Sequence, residues 1–192
     1  MIKEFEKRLL SSLFLIPITI FFIIQGSVFF AFFLSILFIA SSYEWLQMNK
    51  NNNLLKLLGI IFLLISFYSA SEIREYRGFE YFLFIITVSI FTDIGGYLFG
   101  KTFNGPKLTK ISPNKTYMGV FGGFLLSLIA GLIYLNYFEE SEIVDTDYML
   151  IFLLILFISS ISQIGDLIIS FFKRKAKLKD TGKILPGHGG LL

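Results

Sequence analysis

The chain has 192 residues, 55% of them hydrophobic and only 16% charged, with 24 phenylalanines and a net charge of +3. Soluble domains carry roughly 25% charged residues, so this apolar excess does not fit one soluble core and points to lipid. Cysteine is absent and His188 is the only histidine, which excludes disulfides, thiol nucleophiles and Cys/His zinc sites. Any metal must rest on oxygen ligands, the chemistry of Mg²⁺.

The N-terminal run MIKEFEKRLL leads into apolar sequence without the short apolar core and small-residue cleavage site of a secretory signal, so it reads as a retained anchor. Crossing a hydrocarbon core of ~30 Å takes about 20 apolar residues in a helix. Candidate spans are Leu9–Ile24, Val28–Ser42, Leu54–Ala70, Tyr81–Gly100, Gly119–Phe138 and Tyr148–Phe172. The first two are short and are joined by the turn Gln25-Gly26-Ser27. The expected fold is all-α, a polytopic transmembrane helix bundle of about six spans with basic cytoplasmic loops. The expected division is N-terminal transmembrane helices over 1–80 and a catalytic-type transmembrane region over 81–192. No fixed-period repeat is present, and the polar run Asn49–Asn53 reads as a loop.

Lys and Arg gather on the cytoplasmic side of membrane proteins. With the N-terminus in the cytoplasm, every basic residue except Arg74 and Arg77 falls on that side, and the acidic stretch Glu139–Asp147 falls outside. This predicts a multi-pass membrane protein whose N-terminus lies in the cytoplasm and whose cytoplasmic face is basic. Topology and attraction to anionic headgroups account for part of that charge; a site for an anionic substrate is the functional reading. Basic residues spread along a membrane face argue against a nucleic-acid partner.

Two acids lie in or at the end of spans, Asp93 and Asp166. Ionised carboxylates in lipid are costly and usually face a bundle interior. Ser89, Asp93, Gly96 and Gly100 share one helical face, as do Gln163, Asp166, Ser170 and Lys173, since they are spaced three and four apart. Helix packing through small residues, with an acid paired to a lysine, is one reading of these stripes; a proton or ion pathway is another. Two segments follow spans. The first, from Lys101 to Gly119, mixes Lys with Ser, Thr, Gly and Pro before a helix, which suits an anion site or a solvated loop with Ser112 or Thr116 as N-cap. The second, from Ser170 onward, sets a basic cluster before Pro186-Gly187-His188-Gly189-Gly190 and matches neither a P-loop nor a dinucleotide fingerprint.

At these residues the sequence resembles phosphatidate cytidylyltransferase, also called CDP-diacylglycerol synthase. Ser170, Lys173-Arg174, Lys179-Asp180, Gly182 and Leu185-Pro186-Gly187-His188-Gly189-Gly190 are similar to that family's signature. Asp93 within Thr92–Lys101, Ser112-Pro113-Asn114-Lys115-Thr116 with Gly119, and Gly165-Asp166-Leu167 resemble its earlier elements, so the resemblance covers roughly residues 85–192. Asn114, Met118 and Ile169 depart from the Lys, Glu and Glu common in the family. The family signature also continues after His-Gly-Gly with Asp-Arg-x-Asp, whereas these residues end at Leu192, so a fragment lacking a metal ligand, inactive as written, is the expectation.

The resemblance implies an enzyme that joins CTP and phosphatidate in the membrane with Mg²⁺ as cofactor, and a homodimer as candidate assembly. It implies Asp166 as metal ligand, with Asp93 beside it. Lys173, Arg174, Lys179, Asp180 and His188 would serve catalysis, and Ser112, Lys115, Thr116, Ser170, Gly187, Gly189 and Gly190 would bind substrate. The alternatives left open are another lipid-directed transferase, an ion- or proton-coupled transporter using Asp93 and Asp166, and an inactive fragment.

Overall fold

The computed structural model describes residues 2–103, 105–109, 112, 114–138, 147–178, 180–182 and 189–192, with the side chains of 2–5 and 7–9 excepted. Among the described residues five helices follow one another: α1 (Ile2–Gln25), α2 (Ser27–Met48), α3 (Asn53–Phe103), α4 (Tyr117–Tyr137) and α5 (Tyr148–Lys175). Among the described residues the only β pairing is an isolated bridge between Lys107 and Thr116. The all-α membrane architecture is therefore the observed one.

The number of separate spans is not. Four helices, α2 to α5, are long and apolar enough to cross a bilayer, and α1 contributes a shorter apolar stretch, Leu10–Gln25. The expected spans Leu54–Ala70 and Tyr81–Gly100 both lie in α3, which runs for 51 residues. At 1.5 Å per residue such an element is more than twice as long as the ~30 Å hydrocarbon core. Gly78, at φ 83° and ψ 171°, is the one non-helical position in it, so α3 is two helical runs joined there. That φ lies in the region glycine adopts without steric cost. The polar residues Ser71–Arg77 read as a break in hydropathy, but Glu and Arg are good helix formers and the helix continues through them.

Large apolar side chains cover the outside of these helices. Leu13, Phe14, Val28, Phe62 and Phe157 are each more than half exposed. Only 11% of the most apolar window of α3, and 17% of that of α5, is buried by protein. Lipid is the solvent that makes such surfaces stable.

The chain forms two compact units: Met1–Phe79 with Phe172–Leu192, and Glu80–Phe171. In the first, Ile23, Phe30, Leu34, Trp45, Met48 and Leu63 are buried. Trp45 donates its indole N–H to Leu55 O (2.9 Å) and meets Phe172 edge-on. Arg74 donates to the carbonyls of Ile23 and Ile24 near the end of α1, whose last turn has no basic residue of its own.

In the second unit, Phe84, Val88, Leu135, Ile151 and Ile155 form the apolar core, and Tyr134 donates its hydroxyl to Glu80 O (2.8 Å). Toward the cavity the interior becomes polar. Thr92, Ser127 and Ser159 are almost fully buried. Thr92 Oγ1 lies 2.9 Å from Ser159 Oγ, to which Gln163 also donates (3.4 Å). Helices α3 and α4 meet through glycines. A Cβ on Gly95 would sit 2.2 Å from Gly122 O, and one on Gly119 would sit 2.8 Å from Gly96 O. Small residues allow backbones this close in a membrane, where apolar burial does not drive helices together.

Candidate active site

Between α3 and α4 the chain turns back on itself. Leu108 N–H donates to Lys115 O (2.8 Å), Lys115 N–H to Ser112 O (3.0 Å) and Tyr117 N–H to Pro106 O (3.1 Å). Thr116, extended at φ −123° and ψ 158°, then caps α4 by accepting from Gly119 N–H (3.0 Å). One of the two expected N-caps is thus the one in use. The fold-back carries Ser112, Asn114, Lys115 and Thr116 to the same cavity.

That cavity, of about 540 Å³, lies wholly within the unit Glu80–Phe171. Its wall includes Thr92, Asp93, Gly96 and Tyr97 from α3, Gly119 and Val120 from α4, and Ser160, Gln163, Asp166 and Ser170 from α5. Lys115 Nζ and Asp166 Oδ2 form an ion pair at 2.5 Å, with side chains 25% and 59% exposed. Asp93 is close enough for the charges of Asp166 and Lys115 to act on it. One lysine, two carboxylates and several hydroxyls thus converge on a space within the usual range for small-molecule sites, about 300–1,000 Å³.

Six of the expected site residues line this cavity together: Asp93, Ser112, Lys115, Thr116, Asp166 and Ser170. Lys173, Arg174, Asp180, Gly189 and Gly190 belong to the other unit. There, Lys173 and Arg174 occupy the last turn of α5, where positive charge complements the helix dipole. Gly189 and Gly190 take positive φ, 79° and 123°. Lys179, Gly187 and His188 lie outside the described residues. Ser160 and Tyr97 also line the cavity and were not foreseen. Ser160 stands one helical step before Gln163, so continuing the α5 stripe would have reached it.

The donor set suits a hard cation. Carboxylates of Asp93 and Asp166, the Gln163 amide oxygen and the hydroxyls of Ser160 and Ser170 are all oxygen ligands on one cavity. Among the described residues no group of three His, Cys, Asp or Glu is gathered. Two carboxylates with neutral oxygens are a set that would suit Mg²⁺, which is typically bound through one or two carboxylates together with waters and substrate phosphates.

An apolar helical bundle whose cavity gathers a lysine, two carboxylates and several hydroxyls is consistent with an integral membrane enzyme, and the relatives decide the class. The cytidylyltransferase family model matches residues 51–192, and the chain belongs to that family. It is 34% identical to the phosphatidate cytidylyltransferase of Rickettsia bellii, over 96% of this chain and 82% of that protein. It is 36% identical to the phosphatidate cytidylyltransferase of Staphylococcus epidermidis, over 81% of this chain and 59% of that protein. The Staphylococcus saprophyticus protein of the same name is 40% identical over the same shares. The chain therefore spans 59% of the length of these staphylococcal relatives. None of these relatives points to a transporter.

Proposed function

We propose that the protein transfers a cytidylyl group from CTP to phosphatidate, giving CDP-diacylglycerol and pyrophosphate for phospholipid synthesis. The observation that carries this reading is the Lys115–Asp166 pair on a cavity shared with Asp93, in a chain of the cytidylyltransferase family. A phosphate oxygen of the lipid attacks the α-phosphorus of CTP. The new P–O bond forms as the bond to the β-phosphate oxygen breaks, and that electron pair leaves with pyrophosphate. The nucleophile is already anionic, so no strong general base is required. The barrier is electrostatic, because one polyanion attacks another, and fixed positive charge and hydrogen-bond donors lower it.

Lys115 supplies a cation at the cavity wall, and the hydroxyls of Ser112, Thr116 and Ser170 supply donors for phosphate oxygens. Asp166, with Asp93, would hold Mg²⁺, which would supply charge to screen the phosphates and the leaving group. Lys115 already pairs with Asp166. A phosphate entering the cavity would compete for that lysine and free the carboxylate for the cation. By the family resemblance, Lys173, Arg174 and Lys179 contact phosphates, Gly187, Gly189 and Gly190 form a close-approach loop, and Asp180 and His188 serve catalysis. The site faces the cytoplasm of a bacterium, the protein lies in the inner membrane, and a homodimer is the assembly expected.

The test is CTP- and Mg²⁺-dependent formation of CDP-diacylglycerol by the full-length protein in mixed micelles, with pyrophosphate release in equal amount. Absence of both products from folded protein, or transfer from another nucleotide in preference to CTP, would sink the reading.

A further inference from the structure

Glu44, in α2, is the only acidic or basic side chain among the described residues that is fully buried, at 1% exposure. No described Lys or Arg pairs with it. Its Oε2 instead collects three donors from a segment far along the chain. Thr181 Oγ1 donates at 2.6 Å across 137 residues of sequence, and the backbone N–H groups of Leu191 and Leu192 donate at 2.8 and 3.0 Å. The same segment closes on itself, because Thr181 N–H and Gly182 N–H both donate to Gly189 O. Gly190 is built into the arrangement: a Cβ there would lie 1.9 Å from Thr181 Oγ1 and 2.8 Å from Glu44 Oε2, at a φ of +123°.

Burying a carboxylate is expensive even when donors meet it, and an apolar residue of similar volume would usually pack at lower cost. What the carboxylate does that an apolar residue cannot is demand donors in one geometry. All three donors flank the Gly-rich part of the segment. We propose that Glu44 is a positioning residue, which holds Thr181, Gly182 and Gly189–Leu192 together so that Gly189 and Gly190 keep their left-handed backbone for substrate. This inference rests on the function proposed above, because that reading is what gives the segment a substrate.

The experiment compares Glu44→Ala, Thr181→Val and Thr181→Ser in the full-length protein. Two readouts are used: steady-state kinetics with CTP and phosphatidate, and amide hydrogen exchange. Glu44→Ala and Thr181→Val should each lower kcat/KM for CTP by about 10–100-fold, the range for lost orienting partners. Thr181→Ser should restore it, and the Glu44→Ala/Thr181→Val double variant should be no worse than its weaker parent. The amides of Gly182, Leu191 and Leu192 should lose protection in Glu44→Ala while those of α4 keep theirs. Unchanged exchange at those three amides, or a Thr181→Ser variant as impaired as Thr181→Val, overturns the proposal. A uniform loss of protection in both Glu44→Ala and Thr181→Val assigns a purely structural role and also overturns it. If the unmodified protein makes no CDP-diacylglycerol, the proposed function fails, and the exchange result still decides whether Glu44 anchors the segment.

Discussion

Asp166 and Glu44 are both carboxylates on membrane helices, and they are held in opposite ways. Asp166 is 59% exposed at its side chain and meets a lysine across a cavity. Glu44 is 1% exposed and meets one hydroxyl and two backbone amides. An exposed pair contributes little to stability, about 0–1 kcal/mol, and it can open when a ligand offers either partner something better. A buried acid with three donors cannot be released without leaving those donors unsatisfied. One arrangement keeps charge available, and the other spends charge on shape.

The largest test of this contrast is Asp166→Asn, which keeps size and removes charge. Cytidylyl transfer should fall by about 10²-fold or more, while the melting temperature in detergent moves little. A large fall in melting temperature would mean that the Lys115–Asp166 pair is structural and the contrast is false. Next is Gly95→Ala. A Cβ there would meet Gly122 O at 2.2 Å, so α3 and α4 must separate. Overpacking of this kind costs about 1–3 kcal/mol, measurable by thermal unfolding. Gly165→Ala is the matched control, since nothing lies within 4 Å of its Cβ position.

Thr116→Ala should cost about 1 kcal/mol through loss of the α4 cap, and Thr116→Ser should be near neutral, by the same measurement. The smallest effect has the opposite sign. Lys177, at φ 56°, ends α5 where Lys177 N–H donates to Arg174 O and Leu178 N–H to Lys173 O, an arrangement that usually has glycine at this position. Lys177→Gly should stabilise by a few tenths of a kcal/mol up to about 1 kcal/mol, from relief of left-handed strain. No gain would mean that the turn is held by interactions beyond its own backbone.

What the sequence revealed follows from the range of each interaction. The stripes on α3 and α5 are local, so Asp93, Asp166 and Ser170 were readable as one kind of surface before any contact was known. Lys115 and Ser112 were readable from composition and resemblance, but the fold-back that seats them needs the Leu108–Lys115 and Pro106–Tyr117 backbone bonds, which no spacing rule supplies. The place where α3 breaks was hidden because hydropathy measures affinity for lipid, whereas Ser71–Arg77 keep helix propensity without it and the two runs part only at Gly78. Helix α1 likewise starts at Ile2, well before the apolar run at Leu9, on residues that favour helix but not lipid. Glu44 was invisible for a different reason. Its partners lie more than a hundred residues away, and a single acid on α2 carries no period of its own.

The glycine seam between α3 and α4 has a consequence for how such a site can change. The two helices are located by main-chain contact, Gly95 against Gly122 and Gly119 against Gly96, and not by the side chains that face the cavity. Tyr97, Leu108, Val120 and Ile164 form part of that lining and take no part in the seam. Scaffold and lining share only Gly96 and Gly119, so a descendant with altered taste for its substrates could be reached by exchanging the other wall residues while the glycine frame stays as it is.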